Sequence, residues 1–257
     1  MTSTIKSKVR KITIGIIWLS IWQIIANIIN EEILLPSPLL VFRKFVELAS
    51  TKEFYQIIAL STGKILLGFI FSIFVGILLA YISFKSKILY EFIKPIMQIF
   101  KSIPLASFVI LLLFWVNKKY LSIYISFIMA TPIIFQNTLT GLNSIDYKLI
   151  EMAQVFEVEE IKRVKYIYKV KTKPYLSSSI ISVSGLVFKA GIAGEVIGLS
   201  ENSIGNMLYN SKVYLDMPAL FAWTLAILII SMSFEAIVKK ILVDNNDWIY
   251  KSKQKLW

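Results

Sequence analysis

Residues 145–176 read IDYKLIEMAQVFEVEEIKRVKYIYKVKTKPYL, a polar stretch set between long uncharged runs. It carries Lys148, Lys162, Arg163, Lys165, Lys169, Lys171 and Lys173, seven of the 28 basic residues of the 257-residue chain. Working outward, the uncharged runs are Ile12–Asn30, Ile65–Phe84, Ser102–Val116, Tyr120–Ile145, Pro174–Phe188 and Met217–Phe234. A bilayer core of about 30 Å is crossed by about 20 helical residues. The first, second, fourth and sixth runs have that length. The third reaches it by extending back through Lys101 towards Pro95, and the fifth by continuing through Lys189 to Val196. The pattern predicts an all-α, polytopic membrane protein with about six transmembrane helices in one domain over residues 1–257. The quoted stretch becomes the loop between spans 4 and 5. The first run is too long for a signal peptide's apolar segment and has no small-residue cleavage site, so it reads as a retained span.

Composition agrees. The chain is 56% hydrophobic and 14% aromatic, more apolar than a soluble domain of this length tolerates. It has no cysteine and no histidine, which removes disulfides, thiolate metal sites and the commonest general base and metal ligand. No metal, no cofactor and no enzymatic centre is expected. The net charge of +12 does not point to nucleic acid, because the basic residues lie between apolar runs and not along one face. Lys6, Lys8, Arg10 and Lys11, the Lys85–Lys94 link, the quoted loop and the C-terminal residues from Lys239 together hold nineteen Lys and Arg; the opposite loops hold six. The positive-inside rule then sets both termini (1–11 and 244–257) and the 146–174 loop in the cytoplasm.

Two outer segments are patterned as short interfacial helices. One follows Pro36-Ser37-Pro38, where Ser can cap and Pro can take the first helical position; the other is Ser203–Leu215. In the long loop, Asp146 can cap a helix with apolar positions Leu149, Ile150, Ala153, Val155, Phe156 and Val158. A second helix covers Glu159–Tyr168, and Pro174 opens span 5. From spacing alone this knob is either a solvated loop that fixes topology or a docking element.

The loop resembles that of the membrane permease subunits of binding-protein-dependent ATP-binding cassette importers. Their penultimate cytoplasmic loop carries Glu-Ala-Ala, three residues, Gly, nine residues, Ile, one residue, Leu-Pro. Here Glu151-Met152-Ala153 fills the triplet, Ile167 the Ile position, and Pro174 a second proline common after the pattern. LLPSPLLVF from Leu34, KSIPLASF from Lys101, KAGIAGEVIG from Lys189 and SIGNMLYNSKVYLDMPALFAW from Ser203 are similar to the branch importing nitrate, sulfonates, taurine and thiamine precursors. Three positions depart: Glu157 stands for the Gly, Lys169 for the Leu and Val170 for the Pro. With Glu157, the turn between the coupling helices is made without a residue suited to positive φ, or the helix runs on.

The resemblance implies a type I importer permease fold in the bacterial cytoplasmic membrane, with a core over 57–243. It implies docking of Glu151, Met152, Ala153, Phe156, Glu157, Ile167 and Pro174 on a cytoplasmic ATPase dimer, whose closure rocks the spans. The other implied partners are an extracytoplasmic solute-binding protein, a second and identical permease copy, and the lipid bilayer; nucleic acid is not among them. ATP hydrolysis belongs to the partner, since Gly63-Lys64 has Ile58 and Ile65 where a phosphate-binding loop needs Gly and Ser or Thr.

Within the spans, Lys101, Lys189 and Glu195 are candidate pathway residues. An ionised side chain at a helix centre costs roughly 2.5–3.5 kcal/mol, so each needs a reason. Lys189 and Glu195 are six residues apart, about 240° round a helix, and do not face each other. An unpaired cation beside the pathway suits an anionic, nitrate- or sulfonate-like cargo; pairing across subunits with Glu195 is the rival. A secondary transporter or channel would call for internal pseudo-symmetry, which the sequence does not show, and for intramembrane acids for ion coupling, of which the spans hold Glu195 alone.

Overall fold

A computed structural model describes residues 2–254, with side chains described at 9–10 and 13–242. The expectations for residues 1–11, apart from Val9 and Arg10, and for the tail 244–257 concern side chains outside that range. The fold is all-helical. In order, α1 is Thr2–Ile29, α2 Pro38–Ala49, α3 Lys52–Lys85, α4 Lys87–Ser102, α5 Leu105–Leu112, α6 Leu121–Asn143, α7 Tyr147–Val155, α8 Glu160–Arg163, α9 Lys169–Ile197, α10 Ile204–Val213 and α11 Met217–Gln254. Among the described residues, four helical stretches are long and apolar enough to cross a membrane: Lys52–Lys85, Lys118–Asn143, Glu160–Ile197 and Met217–Leu242. The bent pair α4–α5 makes a fifth if counted as one span, and Thr13–Ile29 is a shorter apolar helix.

The centre of the molecule is α3, α6 and α9. One stripe of α3 buries Ser61, Ile65, Gly68, Ser72, Gly76, Ala80 and Ser83 at intervals of three and four residues, a seam of mostly small side chains. Between apolar helices in lipid, association rests on close van der Waals approach, which small residues permit. A Cβ at Gly68 would collide with the Ile123 carbonyl, and one at Gly76 would lie 2.9 Å from Ile134 Cγ2. On α9, a Cβ at Gly191 would sit 2.7 Å from Ile65 Cγ1 and 2.9 Å from Ser126 Oγ, so this glycine lets three helices meet.

Two expectations are corrected. The third span is not one helix from about Pro95 to Val116. It breaks between Ser102 and Leu105 with a bend of 106°. Pro104 has no N–H to continue the ladder, and it drives Ile103 into extended geometry (φ −68°, ψ 127°). Nor does Pro174 open span 5: it lies inside α9, in a helical run continuous from Glu160 to Ile197. That run absorbs its irregularity earlier, in a single π-helical turn at Val164–Tyr168. Both short segments form helices. Ser37 Oγ accepts from Leu40 N–H (3.3 Å) with Pro38 opening α2, and Ser203 Oγ accepts from Asn206 N–H (3.1 Å) at the start of α10.

Candidate functional site

The loop of residues 146–174 begins where Asp146 Oδ1 accepts the Lys148 N–H (2.9 Å) and starts α7. The helix ends in a paired closure: Val158 N–H donates to Ala153 O and Glu157 N–H to Gln154 O, both at 2.9 Å. This reversal requires a left-handed residue, usually glycine. Glu157 supplies it, with φ 50°. The turn of the family pattern is thus kept without its glycine, and the helix does not run on.

The closure fixes what α7 presents. Ala153 is buried, whereas Glu151 is exposed, Met152 is 50% exposed, Val155 79% and Phe156 75%. The structure therefore gathers Glu151, Met152, Phe156 and Glu157 on one tip. Ile167 is half-buried in the stem, in a cluster with Ala80, Leu142, Ile145 and Tyr168, and Pro174 is exposed higher on α9.

A polar clamp that sequence reasoning missed ties this stem to α3. Glu160 Oε1 accepts from Tyr81 OH (2.7 Å) and pairs with Lys85 Nζ (2.5 Å), while its Oε2 meets the Arg163 guanidinium at 3.1 Å. Lys85 Nζ also donates to Tyr168 OH (3.3 Å) and lies 5.1 Å from that ring's centre. The Tyr81–Lys85 spacing of one helical turn was visible, but its partners are about 80 residues away.

Of the intramembrane charges, Lys101 and Lys189 are exposed on the single chain, and Glu195 is fully enclosed. Glu195 Oε2 accepts from Ser61 Oγ (2.9 Å) and from Gly205 N–H (3.3 Å); Ser61 Oγ in turn accepts the Ile204 N–H (2.9 Å). The acid thus sits at the N-terminus of α10 and fastens that helix to α3 and α9, where free N–H groups favour a carboxylate. Among the described residues, no group of acids could hold a metal ion.

Residues 72–242 match the family model described as "Binding-protein-dependent transport system inner membrane component". SsuC of Bacillus subtilis, named as an aliphatic sulfonates transport permease, is 21% identical over 223 residues, covering 86% of this chain and 80% of that protein. The nitrate import permease NrtB of Synechococcus elongatus is 25% identical over 206 residues (76% and 73%). The formylaminopyrimidine transport permease ThiX of Halalkalibacterium halodurans is 24% identical over 227 residues (86% and 88%). Among solved structures, the inward-facing methionine transporter MetNI has a chain that matches the fold with TM-score 0.58 at 15% identity, over 74% of this chain and 93% of that one. A multi-pass helical fold, a family model that matches about two thirds of the chain and a permease-like loop carry one conclusion: the protein belongs to the family of binding-protein-dependent transport system inner membrane components, as the non-catalytic permease of an ATP-binding cassette importer.

Proposed function

We propose that two copies of this chain form the pathway of an importer for a small anionic solute, and that the α7 tip is where each copy is driven by its ATPase. The observation that carries this is Val155 and Phe156, 79% and 75% exposed at the end of a capped helix in a loop otherwise rich in charge. Large apolar side chains held out together on a polar loop mark a protein contact. Glu151 beside them offers a carboxylate to a basic residue of the ATPase, and Ala153, Glu157, Ile167 and Pro174 hold the tip and its stem in shape. The core is 57–243. Both termini and 146–174 lie on the cytoplasmic side of a bacterial membrane, and an extracytoplasmic binding protein delivers the cargo.

Anionic cargo is supported by Lys189, an exposed cation on α9 with no pairing in the described residues, and by relatives named for sulfonates and nitrate. The similarity to ThiX favours a second reading, in which the cargo is a pyrimidine-type thiamine precursor. Two measurements test the proposal. Glu151→Lys and Phe156→Ala should abolish stimulation of ATP hydrolysis in the reconstituted complex; normal stimulation in both refutes the docking assignment. Thermal shift of the partner binding protein with nitrate, sulfonates, taurine and pyrimidines should select an anion, and selection of a pyrimidine alone overturns that choice.

A further inference from the structure

The helix α4 has three faces where an ordinary membrane helix has two. At about 100° per residue, Tyr90, Ile93, Met97 and Phe100 share one face, and these are its inward-packed side chains. Ile88, Phe92, Ile96 and Ile99 share a second, about 120° away, and all four are exposed. Lys87, Glu91, Lys94, Gln98 and Lys101 form the third, also exposed, within an arc of about 80°. The second face has the chemistry of a lipid contact. The third does not, yet it runs from Lys87 to Lys101, roughly 21 Å.

Its depth follows from its packing. Met97 joins a cluster with Ala80, Phe135 and Leu139. Phe135 lies eight residues, roughly 12 Å, above the inner end of α6 at Asn143, and Lys101 is one further turn along α4. Lys101 also precedes the 106° break, where Phe100 touches Phe108 (centroids 6.4 Å apart) of α5. Phe108 in turn packs on the cluster that includes Ala190, the neighbour of Lys189. None of Lys87, Glu91, Lys94 or Lys101 takes part in an ion pair among the described residues. Lys94 Nζ instead lies 5.4 Å from the centre of the Tyr90 ring.

We propose that the Lys87–Glu91–Lys94–Gln98–Lys101 face of α4 lines a water-filled vestibule on the cytoplasmic half of the pathway and favours anionic solutes leaving through it. This rests on the permease reading and adds the surface that selects charge on the exit side. Three lysines at heptad spacing, about 10.5 Å apart, set a repeating positive potential that one glutamate does not cancel. A small anion passes between successive weak sites without settling on any of them.

The chain has no cysteine, so single cysteines can be placed in the otherwise natural sequence. In inside-out vesicles carrying the assembled importer, Gln98→Cys and Ile96→Cys are treated with a sulfonate-bearing and a trimethylammonium-bearing methanethiosulfonate. Rates are normalised to those of free cysteine. Gln98→Cys should react at least tenfold faster than Ile96→Cys and favour the anionic reagent about tenfold; Lys94→Gln with Lys101→Gln should bring that preference near one. Glu91→Cys against Phe92→Cys repeats the comparison if either first variant fails to assemble. Equal reactivity of the two faces overturns the vestibule, as does a disulfide between copies at Gln98→Cys without labelling, which would make the face a permease–permease contact. A preference for the cationic reagent overturns the anion selection. ATPase stimulation measured on the same vesicles separates these failures from that of the permease reading: if it is intact while Gln98→Cys is unreactive, only the vestibule falls.

Discussion

Glu157 holds φ at 50°, a conformation that an L side chain adopts at a cost of about 1–2 kcal/mol. Glycine removes that strain but gives back roughly 0.5–1 kcal/mol through its freer unfolded chain. Glu157→Gly should therefore tighten the end of α7 by a few tenths to about 1 kcal/mol. Glu157→Val, β-branched at the same φ, should loosen it by about 1 kcal/mol or more. The Gly and Val variants then differ by roughly 2 kcal/mol, about a 30-fold change in local opening. The bonds that report it are Val158 N–H to Ala153 O and Glu157 N–H to Gln154 O. Hydrogen exchange followed by mass spectrometry on the purified protein in nanodiscs should show slower exchange across 153–160 in Glu157→Gly and faster exchange in Glu157→Val, with the spans unchanged. Indistinguishable exchange in the three proteins would refute the left-handed closure. So would a Val variant better protected than the Gly variant, since a helix running on through 157 gains nothing from glycine.

Three further outcomes follow from the packing. Gly68→Val, whose Cβ would fall on the Ile123 carbonyl, should leave almost no monodisperse protein on size-exclusion chromatography, whereas Gly63→Ala, with open space around it, should elute normally. Glu195→Leu should lose roughly 2–5 kcal/mol, read as a lower unfolding temperature, because the Gly205 N–H and the Ser61 hydroxyl are left unpaired in the interior; Glu195→Gln keeps an acceptor for both and should stay close to the parent. Lys85→Glu should reduce transport per ATP hydrolysed. Adding Glu160→Lys should restore it, with an interaction energy of about 1 kcal/mol or less, since both side chains are 39% exposed and screened; no rescue would mean that the pair does not act as a unit.

The spans were legible because lipid demands long apolar helices with every backbone group satisfied internally, and that demand is written in uncharged runs. The α4–α5 break was harder to see, because a run counted only for hydropathy passes over Pro104. The Lys87–Lys94–Lys101 period was equally present in the sequence, but counting uncharged residues discards the side a charge stands on. Asp146 and Ser37 were readable as caps because capping is local. Glu195 was visible only as an unexplained intramembrane charge: its partners are Ser61, 134 residues back, and the N–H of Gly205 on a different helix. Nothing in Glu157 itself announces a positive φ, since the closure belongs to the geometry of α7 and not to the residue's preference.

The long-range bonds say how force can travel. The run Glu160–Ile197 is a helix of 38 residues, roughly 57 Å, with its first residue just after the α7 tip and Glu195 near its C-terminal end. It is not uniformly stiff, because a π-helical turn at Val164–Tyr168 and Pro174 both sit between the α7 tip and the long buried stretch of α9 from Ser177 onward. Alone, it would bend there when the α7 tip is displaced. It is not alone: Glu160 is held by Tyr81 and Lys85 at the C-terminal end of α3, and Glu195 by Ser61 towards the N-terminal end of the same helix. α3 therefore runs beside α9 as a second strut, tied to it above and below the weak turns. A displacement entering at Glu160 is shared between the two helices and reaches α10 through the carboxylate that accepts its Gly205 N–H. In such a frame, cutting the Glu160 clamp should leave the spans folded, which is why losing Lys85 should cost coupling before it costs stability.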